Sequence, residues 1–196
     1  MYAETYEKLL AVPVVKGRKS EDERFAGAIN TTTTEIYVPV SGRGIQGATS
    51  HMLGQNFSKM FDVWYEDTDK TKKFVWQTSW GLSTRSIGAM IMVHSDNTGI
   101  VMPPRVAQTQ IVIIPILFKN DDAKLLHDKA HELAAQLKAA GLRVTVDDRE
   151  NHNPGFKFNS WEVKGTPIRL ELGAKDIAAG EVKCAVRHSG AKFQVK

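Results

Sequence analysis

The sequence lacks the features that mark disulfide-bonded, secreted or membrane-spanning proteins. Cys184 is the only cysteine among 196 residues, which excludes an internal disulfide and a thiolate metal cage. The longest apolar runs, such as residues 111–118, fall far short of the roughly 20 residues that span a bilayer. The amino terminus is charged rather than a hydrophobic signal segment. These absences predict a cytoplasmic protein with no membrane partner.

An excess of charge of one sign is also missing. The 26 Lys and Arg residues against 22 Asp and Glu residues give a net charge of +4, which permits a nucleic-acid partner without requiring one. The hydrophobic fraction of 42% is ordinary for a globular chain of one or two domains. Composition alone therefore leaves a generic nucleic-acid-binding α/β protein open.

Several common catalytic motifs are absent as well. GxxxxGK[ST] does not occur. The letters GRGIQG (42–47) fit GxGxxG, but a predicted strand rather than a helix follows them, so nucleotide binding would need another scaffold. No GxSxG nucleophile elbow occurs. His127 and His131 have the one-turn spacing of a metal pair, but no third ligand accompanies them, and a solvated helix face explains them as well. No metal held by the protein is expected.

The chain divides at Pro103 and Pro104, which predict a linker over residues 103–109 between domains 1–102 and 110–196. The first half is predicted to be α+β, an antiparallel sheet of strands 32–40, 44–52, 62–65 and 74–80 with helices 2–11 and 84–94. The second half is predicted to be a mixed-sheet α/β domain, with strands 111–114, 142–146, 168–172, 182–186 and 193–195 and helices 121–140 and 154–163. Asn120 or Asp121 is predicted to cap the longer helix.

Two stretches of the first half suggest a polar ligand. Residues 44–57 are rich in small residues, amides and hydroxyls where packing alone would select Val or Ile. Gln46, Thr49, Ser50 and His51 would then offer a ligand donors and acceptors that alternate between the two faces of the strand. The alternative is an edge strand near a turn. Arg85 begins an apolar helix, where a guanidinium needs an anion or a π-system such as a phosphate or an adenine; the alternative is a surface ion pair.

Residues 147–169 interleave aromatic and cationic side chains, as a surface that stacks bases and neutralises phosphates requires. The alternative is an amphipathic helix with its aromatic residues in the core. The residues concerned are Phe156, Phe158, Trp161, Lys157, Lys164 and Arg169, with Glu162 as an acceptor for a guanine edge.

Taken together, six segments resemble the prolyl-tRNA synthetases of the archaeal and eukaryotic cytosolic type. They run in that family's order and spacing over essentially the whole chain. They are VVKGRK (14–19), FAG (25–27), QGATSHMLGQNFSKMF (46–61), SWGLSTRSIG (79–88), PPRVA (103–107) and NPGFKFNSWEVKGTPIRLELG (153–173).

The resemblance implies a fragment of a class II aminoacyl-tRNA synthetase. Residues 1–102 would be the carboxyl-terminal part of its antiparallel-sheet catalytic domain, and residues 110–196 a mixed-sheet α/β anticodon-binding domain. The complete enzyme would be a homodimer that ligates L-proline to tRNA(Pro) through prolyl-adenylate, with ATP as substrate and Mg²⁺ accompanying it. The family's first two motifs and its proline-holding loop are expected before Tyr2, so the chain alone is expected not to form the adenylate.

The resemblance also implies roles for individual residues. ATP would be contacted by Gln46, Thr49, Ser83, Thr84 and Arg85, and proline by Phe25, His51 and Ser83. Arg85 and His51 are the catalytic candidates, and the anticodon would be read by Phe156, Lys157, Glu162, Lys164 and Arg169. A non-catalytic tRNA-binding paralogue is the alternative, but the groups expected around ATP favour the enzyme.

Overall fold

A computed structural model describes residues 1–118 and 121–196. Its contacts divide the chain into two compact units, Met1–Val93 and His94–Lys196. No helix in the described part of the chain is both long and apolar enough to cross a membrane. Asn120, one of the two predicted helix caps, lies outside the described residues.

The first unit contains a four-stranded antiparallel sheet in the order β1-β2-β3-β6 and a separate two-stranded ribbon of β4 and β5. Its helical start is a short turn, α1 (Tyr2–Glu4), that widens into a π-helical turn over Thr5–Leu9. The other elements are β1 (Val15–Arg18), β2 (Asn30–Val38), β3 (Arg43–Gly54), α2 (Asn56–Met60), β4 (Trp64–Glu66), β5 (Lys72–Phe74), β6 (Gln77–Leu82) and α3 (Arg85–His94).

The central pair of this sheet, β2 and β3, is antiparallel and is interrupted by one bulge. The threonines and other β-branched residues of β2 favour the strand conformation. Ala48 pairs with Thr34 and Gln46 with Glu35, so Gly47 is the extra residue. A Cβ at Gly47 would lie 3.0 Å from both the Thr34 carbonyl oxygen and the ring of Tyr6. A side chain here would have to displace the β2 backbone or the Tyr6 ring slightly, so the bend at the polar stretch favours glycine.

The second unit is built on a five-stranded mixed sheet in the order β11-β10-β9-β7-β8. β7 runs parallel to β8 and β9, whereas β10 and β11 are added antiparallel. The elements are β7 (Ile111–Pro115), α4 (Ala123–Ala139), β8 (Val144–Val146), α5 (Pro154–Val163), β9 (Ile168–Leu172), α6 (Ala174–Ala179), β10 (Val182–Val186) and β11 (Lys192–Val195).

The core of the second unit forms where α4 packs on the sheet. Leu126, Ala130 and Ala134 recur every fourth residue and bury one face of α4 against strand residues such as Ile113 and Leu170. Asp122 caps this helix, since its carboxylate accepts from the Leu125 amide at 3.0 Å. The cap is thus Asp122 rather than the predicted Asp121, because the helix begins two residues later than predicted.

The predicted combination of an antiparallel sheet followed by a mixed sheet with helices is confirmed, with three differences in detail. The predicted strand 74–80 is two strands, β5 and β6, and three short elements were not predicted: β1, α2 and α6. The predicted linker 103–109 lies within the second unit, where Arg143 donates to the carbonyl oxygens of Pro104, Arg105 and Ala107 at 2.8–3.1 Å. The domain limits 1–102 and 110–196 stay predictions.

Candidate functional site

His51 is the centre of a hydrogen-bonded group on the sheet of the first unit. Its Nδ1 lies 2.9 Å from the Thr31 hydroxyl, and its Nε2 lies 3.1 Å from the Thr49 hydroxyl. The Phe25 ring packs against the imidazole at a centroid distance of 4.8 Å. Because a hydroxyl can donate or accept, both ring nitrogens are satisfied in either tautomer. The structure thus brings together the predicted residues Phe25, Thr49 and His51.

Gln46 belongs to a neighbouring polar group that was not predicted. Lys19 Nζ lies 3.5 Å from Gln46 Oε1 and 3.9 Å from Glu35 Oε1, and Glu35 also accepts from the Thr33 hydroxyl at 2.7 Å. The ammonium donates to the amide oxygen, so the amide NH₂ of Gln46 is the end left to donate to a ligand. Lys19 falls in the VVKGRK segment, but nothing in its spacing marks it as a partner of Gln46.

The turn that precedes α3 holds the other predicted ATP residues. The Ser83 carbonyl accepts from the Ser86 amide and hydroxyl at 3.1 and 2.7 Å, and the Thr84 carbonyl accepts from the Ile87 amide at 3.0 Å. Arg85 is exposed, and its guanidinium forms no hydrogen bond or ion pair within residues 1–118 and 121–196. The alternative of a surface ion pair therefore receives no support.

A buried tyrosine ties this turn to the bulge in β3. The Tyr6 hydroxyl lies 2.8 Å from the Gly47 carbonyl oxygen and 2.9 Å from the Ser86 hydroxyl, and the side chain is fully buried. Tyr6 thereby fixes the strand next to Gln46 and the first turn of α3 next to Arg85. Sequence reasoning missed Tyr6, because a tyrosine on a short amino-terminal helix carries no sign of these partners.

In the second unit, α5 begins at a capped turn with an exposed aromatic stack. Asn153 accepts from the Phe156 amide at 2.8 Å, and Pro154 starts the helix. The ring of Phe156, which is 50% exposed, stacks on His152 at a centroid distance of 4.2 Å and an interplanar angle of 24°. Phe156 therefore presents part of its ring to solvent, as a base-stacking residue must.

Asp147 organises the side of α5 that faces the sheet. Its carboxylate, 3% exposed, accepts from Arg149 Nε and Nη2 at 2.8 and 2.7 Å and from Trp161 Nε1 at 2.7 Å. Burial alone raises the pKa of Asp147, but the hydrogen bonds from Arg149 and Trp161 outweigh it and lower the pKa to about 2. Lys157, only 6% exposed, donates to the Asp147 carbonyl at 3.1 Å. In this arrangement the Lys157 ammonium is committed to the protein's own backbone.

Glu162 and Arg169 form the second charged cluster. Arg169 is 6% exposed and donates to Glu162 Oε1 at 2.6 Å and to Glu171 Oε1 at 3.0 and 3.1 Å. The guanidinium also lies 4.2 Å from the ring centroid of Phe158. Glu162 is about two-fifths exposed, and its second oxygen has no hydrogen bond within the described chain. The carboxylate is thus oriented and still able to accept.

A cleft of about 390 Å³ opens beside this cluster. Besides Glu162 and Arg169 its charged or ionisable lining residues are Asp96, Arg187, His188 and Lys192. These four lie outside the 153–173 segment, and sequence reasoning missed them. Only Arg187 could have been noticed in the sequence as a candidate for this cleft, because it is a charged residue directly after the mostly apolar strand β10. Lys164 is the remaining residue that was predicted to read the anticodon. Its side chain is exposed, and its Nζ lies 4.6 Å from the ring centroid of Trp161.

The two histidines that have the spacing of a metal pair lie on α4. Within the described residues, no three His, Cys, Asp or Glu side chains are grouped so that they could hold a metal ion. His131 pairs instead with Asp148 at 3.1 Å.

Comparisons with known proteins give a family match for one part of the chain and relatives for the whole of it. Residues 110–196 match the family described as "Anticodon binding domain". The whole chain is 52% identical to a proline–tRNA ligase of Encephalitozoon cuniculi and covers 40% of it. It is 51% identical to the bifunctional glutamate/proline–tRNA ligase of Mus musculus, of which it covers 13%. A crystal structure of the prolyl-tRNA synthetase from Cryptosporidium parvum, complexed with L-proline and AMP, matches 99% of this chain at 51% identity, with a TM-score of 0.93.

Residues 110–196, which contain the whole mixed sheet, are accordingly an anticodon-binding domain by this match. Over its whole length the chain is similar, at 51–52% identity, to a segment of the prolyl-tRNA synthetases named above. It spans less than half the length of the relatives it matches, between 13% and 42% of those named above.

Proposed function

We propose that this chain is part of a proline–tRNA ligase that activates L-proline with ATP and transfers it to tRNA(Pro). The observation that carries the proposal is the full-chain likeness to a synthetase solved with L-proline and AMP. The arrangement of Gln46, Thr49 and His51 on β3, with the Phe25 ring packed on His51, supports it, since a tRNA-binding paralogue without activation chemistry would not need an ATP site. The names of the relatives do not favour that paralogue either.

The first unit is proposed to be the carboxyl-terminal part of a class II catalytic domain. The reaction is a displacement at the ATP α-phosphate by the proline carboxylate, followed by attack of a terminal ribose hydroxyl on the adenylate. Positioning and charge stabilisation dominate such a reaction. Arg85, Ser83 and Thr84 at the start of α3 would contact the nucleotide, together with Gln46 and Thr49.

His51 and Phe25 are proposed to face proline and the tRNA 3′ end. Phe25 supplies an apolar wall, and the hydroxyls of Thr31 and Thr49 hold the imidazole in one place. Mg²⁺, a homodimer and a cytoplasmic location are further predictions for the complete protein. The location is supported by a 47% identical relative from Arabidopsis thaliana that is named a cytoplasmic proline–tRNA ligase.

The second unit is proposed to read the proline anticodon, which presents two adjacent guanines. Each guanine shows two donors on its pairing edge, and Glu162 has a free carboxylate oxygen held in place by Arg169. Phe156 offers a stacking face and Lys164 an exposed charge for phosphate. Arg169 already has two carboxylate partners and Lys157 is buried, so their proposed part is to support the surface.

The test is binding of the 196-residue chain to a proline tRNA and to the same tRNA with both anticodon guanines replaced, at one stated salt concentration. We expect the guanine-containing tRNA to bind more tightly. Glu162→Ala should lower that preference by roughly 1 to 3 kcal/mol, the usual value of one specific base contact. Asp128→Asn, on the exposed side of α4, is the control, because it also removes one negative charge but lies outside the proposed anticodon surface. Equal binding of both tRNAs by the unaltered chain would contradict anticodon reading.

A further inference from the structure

One arginine links the cleft of the second unit to the segment that follows α3. Arg187 is 7% exposed, and its Nη1 and Nη2 donate to the two oxygens of Asp96 at 2.6 and 2.7 Å. Its Nε donates to the Glu162 carbonyl oxygen at 3.0 Å. The same Glu162 carries the carboxylate proposed to accept from guanine. One planar guanidinium therefore uses three N–H groups to bind two parts of the chain.

The segment that Asp96 starts lies unusually close to the end of α5. The Ile100 amide donates to the Val163 carbonyl at 3.2 Å, and the Met102 amide donates to the Gly165 carbonyl at 3.1 Å. A Cβ at Gly99 would lie 2.7 Å from Val163 Cα, and one at Gly165 would lie 2.5 Å from the Ile100 carbonyl oxygen. Both glycines also have positive φ values, so no other residue fits this approach without a backbone shift.

The geometry points to Arg187 as a positioning residue for anticodon reading: it clamps residues 96–102 to the last turn of α5 and so fixes the backbone from which Glu162 reaches the cleft. This inference rests on the proposed reading of guanine by Glu162. Arg169 orients the Glu162 carboxylate, and Arg187 holds its main chain. Asp96, Glu162, Arg169 and Arg187 all line the same cleft.

The alternatives for Arg187 predict different behaviour. An arginine that binds tRNA phosphate would raise the affinity for every tRNA, but the guanidinium is almost fully buried and already has an acidic partner. An arginine that only stabilises the fold would change the unfolding midpoint and leave the preference between anticodons unchanged. A positioning residue changes the preference itself, and only while Glu162 is present to be positioned.

The experiment compares Arg187→Lys, which keeps the charge but loses the planar fork, and Asp96→Asn, which keeps Arg187. Both variants, the unaltered chain and the Asp128→Asn control are titrated with the two tRNAs described above. We expect the preference for the guanine-containing tRNA to fall roughly three- to tenfold in both variants, which lies in the lower part of the range of coupling between residues in one network. Affinity for the tRNA without guanines should stay unchanged. In a Glu162→Gln background, Arg187→Lys should lower the preference no further.

Amide hydrogen exchange provides a readout that does not depend on tRNA. The Gly165 amide donates to the Glu162 carbonyl that Arg187 also binds, and the Met102 amide lies in the clamped segment. Both amides should exchange faster in Arg187→Lys, while amides of β7 keep their protection. Unchanged exchange at Gly165 and Met102 would overturn the clamp whatever the tRNAs show.

The remaining outcomes are equally decisive. Faster exchange with an unchanged preference would overturn the positioning role, because Arg187 would then only hold the segment. An equal loss of affinity for both tRNAs would overturn it in favour of a phosphate contact. An unaltered chain that fails to distinguish the tRNAs would contradict the proposed anticodon reading instead, and the exchange at Gly165 would then decide the clamp alone.

Discussion

The two units hold their candidate site residues by different kinds of contact. In the first unit, His51 and Tyr6 are held by neutral hydrogen bonds to hydroxyls and a backbone carbonyl. In the second unit, Asp147 and Arg169 are buried charges held by oppositely charged groups. A buried charge needs an oppositely charged partner, whereas a buried hydroxyl needs only a hydrogen bond. The comparison indicates that the second unit orders its own site. For Arg85 in the first unit, we propose that a bound ligand supplies the negative charge.

The largest expected effect tests that reading of Arg85. In a full-length synthetase that contains this segment, Arg85→Ala should leave folding intact and weaken ATP use by roughly 2 to 4 kcal/mol, if the guanidinium contacts the nucleotide in the transition state. Proline-dependent pyrophosphate exchange measures the loss. Lys8→Ala, which removes an exposed cation elsewhere in the first unit, is the control. Unaltered exchange in the Arg85 variant would return this residue to the class of ordinary surface arginines.

The next effect tests whether the second unit depends on its buried carboxylate. The pKa of Asp147 is about 2 in the folded chain against an ordinary 3.8, so the folded state binds this proton less readily than the unfolded state. The ionised Asp147 carboxylate therefore stabilises the folded state. This stabilisation is complete above about pH 4 and is lost as the pH falls through 2. We expect a loss of about 2 kcal/mol in the free energy of unfolding over that interval.

Urea unfolding at several pH values, followed through the amide signals of β7, measures this loss. Asp147→Asn removes the titrating group, so the variant should be less stable at pH 6 and should lose less further stability on acidification. Asp128→Asn should behave like the unaltered chain. An identical slope between pH 4 and 2 in all three proteins would show that Asp147 does not govern the acid response.

The sequence predicted the main elements because their signals are local. The β-branched run of β7 and the four-residue spacing on α4 need no knowledge of distant partners. Strand β1 and helices α2 and α6 were missed because each has only four to six residues, too few to show a period. The domain limits and the individual site roles remain predictions.

The candidate site residues could be predicted only where a residue type is rare for the helix or strand that contains it. Gln46, Thr49 and His51 were conspicuous because a strand rarely carries them together, and Glu162 because it lies among cations. Lys157 looked like its neighbour Lys164 in the sequence, yet one is buried on a carbonyl and the other is exposed. Tyr6 and Arg187 depend on partners 41 and 91 residues away, which no local pattern reveals.

A smaller effect is expected from the neutral contacts of the first unit. Tyr6→Phe removes the hydroxyl that joins Gly47 to Ser86 and leaves the buried ring in place. The cost should be about 1 kcal/mol of unfolding free energy, the usual net value of such a hydrogen bond with a buried partner. Thr5→Val, at an exposed hydroxyl on the same turn, is the control. A cost as large as that of Asp147→Asn would remove the contrast between the two units.

The smallest effect separates two lysines that the sequence makes look equivalent. Lys164→Gln removes an exposed charge, so it should weaken binding of both tRNAs equally, by a few-fold, and reduce the slope of log affinity against log salt by about 1 or less. Lys157→Gln removes a buried ammonium from the Asp147 carbonyl, so it should lower the unfolding midpoint and leave the salt slope unchanged. Binding of both variants is measured at three or more salt concentrations below their unfolding temperatures. A reduced slope in the Lys157 variant would mean that this side chain leaves its buried position when RNA binds, and the second unit would then be less ordered in advance than its contacts indicate.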